Sequence, residues 1–203
     1  MPAIGITGGI ATGKTAFCDC LREILPDADF FNADEAARTL VDVPEVRKEI
    51  RRAFGPGVFS VAGDLNRDRL RTIIFADAIK RRLLERILHP RIRRQWRAEA
   101  RRHRNSPDFF IADIPLLYEA GGENLCDRVV VVACSYKVQL ARLAQRMSLK
   151  EAEAEQMIKS QMPLEEKTRR ADHVVWNNSD RAMLADQARF LAALWQHQSW
   201  MKS

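Results

Sequence analysis

Gly8-Gly9-Ile10-Ala11-Thr12-Gly13-Lys14-Thr15 has the spacing G-x-x-x-x-G-K-[ST] of a phosphate-binding loop. The apolar stretch before it, residues 3–7, reads as a strand, and residues 15–25 after it read as a helix. That order gives the motif its physics. Glycines let the backbone turn tightly and aim N–H groups inward at an anion. The helix that starts at Gly13 adds the positive end of its dipole. Lys14 can reach the β- and γ-phosphates of a nucleotide, and the Thr15 hydroxyl can ligate Mg²⁺.

Working outward, Asp27-Ala28-Asp29-Phe30-Phe31-Asn32 reads as a turn and a second strand that delivers Ala33-Asp34-Glu35 to its C-terminal end. In open α/β sheets that end is where ligands bind. Two readings of Asp34 stand side by side: an N-cap for the helix over residues 35–40, or a carboxylate placed to take a proton from a substrate hydroxyl. Residues 109–112 form a buried strand ending in Asp113-Ile114-Pro115-Leu116-Leu117-Tyr118-Glu119. Asp113 sits at its tip, either as a turn cap or as the acid that touches Mg²⁺ in phosphate-loop enzymes. Residues 128–133 are apolar almost throughout, as strands buried on both faces are, and residues 172–176 make a fifth strand.

Between these strands lie helical stretches. Residues 44–54 are stopped by Gly55-Pro56-Gly57, and a turn follows around Gly63-Asp64. Residues 67–104 are helical in pattern, with Pro90 predicted to break them near Leu88-His89. Their many arginines, from Arg81 to Arg104, read mainly as a solvated face, with a few available to an acidic substrate. His89 reads as structural. On the helix over residues 136–147, Gln139, Arg142 and Arg146 share a face. Ser148-Leu149-Lys150-Glu151 has the form of a capping box opening a helix to about residue 161, and Met162-Pro163 precedes a short helix over 164–170. Arg142, Arg146, Lys167, Arg169 and Arg170 thus bracket a small helical insert. It reads either as a lid laying cations over a triphosphate or as ordinary surface helices. The closing helix, residues 180–195, places Met183, Leu184, Ala188, Leu191 and Leu194 toward the core, with a frayed tail after Gln196.

Composition bounds the rest. The 203 residues are 46% hydrophobic and 30% charged, a globular composition, and the net charge of +6 suits polyanionic partners. Cys18, Cys20, Cys126 and Cys134 show neither C-x-x-C nor zinc-like spacing, so a reduced, cytoplasmic setting is expected. No basic-then-apolar leader and no run of about 18 apolar residues is present, so neither secretion nor membrane spanning is expected. Five strands alternating with helices predict an α/β fold with a largely parallel sheet and helices on both faces. Residues 1–34, 105–140 and 171–203 form the core, 35–104 a helical substrate-binding insert, and 141–170 the lid.

Taken together, Thr7-Gly8-Gly9-Ile10 with Gly13-Lys14-Thr15, Asn32-Ala33-Asp34, His89-Pro90, the Asp113–Glu119 string, Gln139-Leu140-Ala141-Arg142-Leu143, Ser160-Gln161-Met162-Pro163 and Ala171-Asp172 resemble the dephospho-coenzyme A kinase family over nearly the whole chain. The resemblance implies a three-layer α/β/α P-loop kinase core. It implies ATP-dependent phosphorylation of the ribose 3′-hydroxyl of dephospho-CoA, with Mg²⁺, as the step that completes coenzyme A. It implies that Gly8 and residues Ala11, Thr12, Gly13, Lys14, Thr15 and Ala16 cradle the ATP phosphates. Asp34 would be the general base, and Lys14 and Arg142 would neutralise charge on the transferring group. Arg146 would lie on the lid side of the nucleotide, and Thr15 and Asp113 on the metal side. The chain departs from the family in reading Ala11-Thr12 where Gly-Ser is common and Asn32 where Asp is usual; the latter puts a second carboxylate there in doubt. A monomer or small homo-oligomer, without nucleic acid or membrane, is expected. Two alternatives remain: a kinase of another small acceptor such as a nucleoside monophosphate, and a nucleic-acid-stimulated ATPase using the arginine-rich helix.

Overall fold

β1 (Ala3–Gly8) is buried along its whole length, which is what a chain of small and β-branched residues does at the centre of a two-faced sheet. In the computed structural model, which describes residues 3–103, 106, 108–147 and 149–197, it is flanked by β3 (Phe110–Asp113) and β4 (Arg128–Ala133), with β2 (Asp29–Asn32) and β5 (His173–Trp176) outermost. The order is β2-β3-β1-β4-β5, and the β1–β3, β1–β4 and β4–β5 pairs run parallel. Ile6 lies opposite Asp113 and Gly8 opposite Val132. The chain steps from β1 to one side of the sheet and later crosses to the other, so the order reverses beside β1. The crevice at the strand ends there is where such sheets take ligands, and the phosphate loop leaves β1 at that point.

Alternation along the strands sends Ile4, Ile6, Ile111, Val130 and Val132 to one face. There they pack on Phe17, Cys18 and Leu21 of α1 (Lys14–Ile24) and on Leu184, Ala188, Leu191 and Trp195 of α9 (Arg181–His197). Each such large side chain contributes about 1.5–3 kcal/mol when fully buried. Met183, expected on the core side of α9, is instead exposed. Its neighbour Leu184 takes the buried position, because a helix of 3.6 residues per turn cannot turn both inward with equal depth. β5 is a sheet edge, and Gln187 covers it. Its Oε1 accepts the Trp176 N–H at 3.0 Å and its Nε2 donates to the Trp176 carbonyl at 2.9 Å. The tail after His197, together with Arg104, Asn105 and Ser148, lies outside the described residues.

Three further helices follow β4. α6 (Tyr136–Met147) starts after Ser135, whose Oγ accepts the Val138 N–H. α7 (Glu151–Lys159) is capped at Lys150. The Glu153 carboxylate accepts the Lys150 N–H at 2.9 Å; a lysine side chain has no acceptor to return, so only that half of a capping box forms. α8 (Leu164–Arg170) begins after Pro163, as the Met162-Pro163 break predicts, and packs against β4.

The described chain divides into two compact units, Met1–Phe31 with Glu99–Ser203, and Asn32–Ala98. The second unit has its own core of Leu40, Val41, Val46, Ile50, Val58, Leu70, Leu84, Ile87 and Leu88. It contains α2 (Ala33–Leu40), α3 (Pro44–Phe54), α4 (Arg67–Ala76) and most of α5 (Ala78–His103). Asn32, not Asp34, caps α2: its Oδ1 accepts the Glu35 N–H at 3.0 Å. α3 ends on Gly55 at φ 81, a backbone shape that favours glycine. The break expected at Leu88-His89 is not there. α5 runs through Pro90, and the interruption falls at Asp77, whose carboxylate accepts the Ile79 and Lys80 N–H groups at 2.7 and 3.1 Å. Pro90 leaves the Arg86 carbonyl without its helical donor; beside it the Arg91 guanidinium donates to the Ile87 carbonyl at 2.6 Å and pairs with Glu49.

Candidate active site

The first unit holds the loop, and a complete account of its backbone explains its shape. Every carbonyl from Gly8 to Gly13 is held by a protein donor. Gly8 O accepts from Lys167 Nζ at 3.1 Å, and Gly9 O from Thr12 Oγ1 at 2.9 Å. Ile10 O accepts from Gln139 Nε2 at 2.8 Å. The Arg142 guanidinium donates to Ala11 O at 3.3 Å and Thr12 O at 3.2 Å, and Asn177 Nδ2 also donates to Thr12 O at 2.9 Å. Gly13 O accepts the Phe17 N–H at 3.1 Å. With the acceptors turned outward, the donors face the other way. The N–H groups of Gly13, Lys14, Thr15 and Ala16 make no hydrogen bond to a protein acceptor among the described residues. They are the orphan donors of a helix start, and an anion satisfies them.

Two glycines are compelled by their surroundings. A Cβ on Gly8 would stand 2.5 Å from the Val132 carbonyl oxygen, and one on Gly13, at φ 92, would stand 2.0 Å from Asn177 Nδ2. Ala11 lies at φ 59. This is the left-handed region that a glycine would enter freely, so the departure from Gly at this loop position is a strained one.

Lys14 Nζ pairs with the Asp113 carboxylate at the end of β3, and Asp113 is only 3% exposed. Burial, and then the neighbouring Asp113 charge, push the Cys18 thiol from 9.0 up to about 12. Thr7 Oγ1 donates to the Pro115 carbonyl at 2.9 Å, tying the strand before the loop to the segment after Asp113. Thr15 is exposed, as a residue meant to meet a ligand can be. No group of three or more His, Cys, Asp or Glu is placed to hold a metal among the described residues. A hydroxyl and one carboxylate beside an open row of amides fit a cation that keeps waters and shares phosphate oxygens, which is how Mg²⁺ is bound.

The shared face of α6 separates on inspection. Gln139 is buried on the loop, and Arg142 reaches Ala11 O, Thr12 O and, at 3.0 Å, Asn177 O. Arg146 is exposed and reaches none of them. Lys167, expected among the lid cations, is fully buried instead. Its ammonium bonds Gly8 O, Pro115 O at 3.3 Å and the Glu119 carboxylate at 2.8 Å. A buried lysine with three acceptors satisfies all three of its donors. Arg170 lies 4.3 Å over the Tyr118 ring and pairs with Glu123. Asn177 and the loop-binding role of Gln161, whose Oε1 accepts the Ile10 N–H at 3.0 Å, were missed in the sequence. Asn177 follows the end of β5, on the ligand edge of a parallel sheet, and that position was the available signal. In the second unit, Asp34 is exposed in the first turn of α2, and its carboxylate makes no hydrogen bond or ion pair among the described residues.

The chain is similar along most of its length to known proteins. A family model described as dephospho-CoA kinase matches residues 2–182. A protein of that name from Anaeromyxobacter dehalogenans is 43% identical over 198 residues, covering 96% of this chain and 92% of the relative. A crystal structure from Thermus thermophilus superposes with a TM-score of 0.77 at 28% identity, covering 98% of each chain. A dephospho-CoA kinase structure from Campylobacter jejuni superposes with a TM-score of 0.72 at 24% identity, covering 96% of each.

Proposed function

The chain belongs to the dephospho-CoA kinase family, and on that premise we propose that it transfers the γ-phosphoryl group of ATP to the ribose 3′-hydroxyl of dephospho-CoA, giving coenzyme A. The observation that carries the reading is the loop itself, with six consecutive carbonyls anchored outward and the amides of Gly13 to Ala16 left to an anion.

Such a transfer asks little covalent chemistry of a protein and much positioning. Gly8 sets the turn, and Ala11, Thr12, Gly13, Lys14, Thr15 and Ala16 cradle the triphosphate. Thr15 and Asp113 are the residues that would hold Mg²⁺, which would supply charge neutralisation to the phosphates. Lys14 leaves Asp113 for the transferring phosphoryl group. Arg142 holds the loop backbone and adds positive charge beside it, and Arg146 adds more from the lid formed by residues 141–170. Asp34 accepts the proton of the attacking hydroxyl; its carboxylate, without a partner among the described residues, supports that role. The helical residues 35–104 carry the acceptor. In this reading the enzyme works in the cytoplasm, as a monomer or small homo-oligomer, with no nucleic acid or membrane.

Incubation with ATP, Mg²⁺ and dephospho-CoA, followed by mass spectrometry, should show the 3′-phosphorylated product. A panel of nucleoside monophosphates in place of dephospho-CoA should give none. Transfer to a monophosphate but not to dephospho-CoA would refute the assignment.

A further inference from the structure

We infer that Lys167 is a positioning residue for phosphoryl transfer, acting through a closed ring of contacts beneath the phosphate loop. Its ammonium holds the Gly8 carbonyl, where the loop leaves β1, and the Glu119 carboxylate. The same Glu119 oxygen accepts the Met162 N–H at 3.0 Å. The residue before it, Gln161, accepts the Ile10 N–H, which returns the ring to the loop two residues from where it began. A third ammonium contact, to the Pro115 carbonyl, reaches the segment that follows Asp113, the partner of Lys14.

The geometry gives Lys167 a job that a surface cation cannot do. It fixes one side of Gly8 to Ile10 directly and the other through Glu119 and residues 161–162. It also sets the loop against the strand end that carries Asp113. Both halves of the phosphate site hang from one fully buried ammonium. Lys167 Nζ spends its three donors on protein oxygens, so it acts on the reaction only through the loop. Displacing reacting groups by about 1 Å costs a transfer roughly 10²-fold, so even a small release of Gly8 and Pro115 is measurable.

The inference rests on the kinase reading, and the test separates the two. ATP binding is measured by titration calorimetry without acceptor, and turnover with dephospho-CoA separately, at a temperature where circular dichroism shows each protein folded. For Lys167→Met the ATP dissociation constant should rise at least tenfold and kcat fall at least tenfold, with KM for dephospho-CoA within threefold. Because that variant leaves the Glu119 carboxylate without its cation, Lys167→Met/Glu119→Gln is measured alongside and should show the same pattern. A folded variant with ATP affinity and kcat within twofold of the parent overturns the inference. So does a loss of kcat in proportion to the unfolded fraction with ATP affinity unchanged, or failure of both variants to fold, since either makes Lys167 a fold determinant only. Absence of coenzyme A formation by the parent protein, with tight ATP binding that still depends on Lys167, would overturn the acceptor assignment and leave the positioning role standing.

Discussion

Exchanging Gly13 for alanine tests the loop at its tightest point, and the cost can be worked from two separate sources. The first is backbone shape. At φ 92 a Cβ-bearing residue is disfavoured by about 1–2 kcal/mol, offset by roughly 0.4–1 kcal/mol from the stiffer unfolded chain. The second is collision. The new Cβ would lie 2.0 Å from Asn177 Nδ2, so that amide must swing away from Thr12 O, which keeps its Arg142 donor, and leave its own buried N–H unsatisfied, at about 1–3 kcal/mol. Together these predict a loss of about 2–4 kcal/mol for Gly13→Ala. Asn177→Ala alone, which gives up the Thr12 contact without a clash, should lose about 1–2 kcal/mol. In the double variant the collision is gone, and the backbone term adds only to the lost Asn177 contact. The two losses should therefore fall short of additivity by more than about 1 kcal/mol. Urea unfolding of the four proteins, followed by far-ultraviolet circular dichroism, closes the cycle. Additivity within about 0.5 kcal/mol would show that Asn177 does not set the space at Gly13, and would refute the account of how the loop is walled.

Two further expectations follow from single groups. Asp34→Ala should lower kcat by about 10²–10⁴-fold while the ATP dissociation constant measured by calorimetry stays within threefold; turnover near the parent rate would remove Asp34 as the base. Cys126 and Cys18 are raised above 9.0, first by burial and then by nearby carboxylates. Below the thiol pKa of the unfolded chain, about 8.5, neither state ionises and stability is flat. Above it only the unfolded chain loses these protons, so stability falls as pH rises toward 11. The urea midpoint should drop across that window and drop less in Cys126→Ala. An unchanged slope in that variant would show the thiol is not kept protonated by its burial.

What the sequence made legible was what is local. The loop motif carries its own geometry, and the apolar runs at residues 109–112 and 128–133 place themselves at the sheet centre by being apolar on both faces. Pro44, Gly55 and Pro163 mark helix ends where local backbone rules demand them. The failures turn on a distant partner or on a better-placed neighbour. Pro90 reads as a stop because its missing N–H is a local fact, whereas the Arg91 pairing with Glu49 that accompanies a continuous helix is a feature of the folded chain. Asp34 was weighed as a cap because aspartate caps well, yet Asn32 stood two residues nearer the end of β2 and took the Glu35 N–H. Lys167 was the deepest miss. Helical periodicity counts every lysine as outward, and only the sum of Gly8, Pro115 and Glu119 in space makes the inside the better place for it. Of the candidate site, the residues that face phosphate were readable, and those that hold the loop from behind were not.

Gln187 has a consequence beyond α9. By giving one acceptor and one donor to the two backbone groups of Trp176, it imitates a passing peptide and finishes the outer margin of the sheet with a side chain. Val174 and Trp176 remain partly open to solvent beside it, a greasy border that would otherwise invite an extended segment from a neighbouring molecule to zip on. One amide from a helix thus guards solubility as well as packing, and its loss would be felt in concentrated solution before it was felt in catalysis.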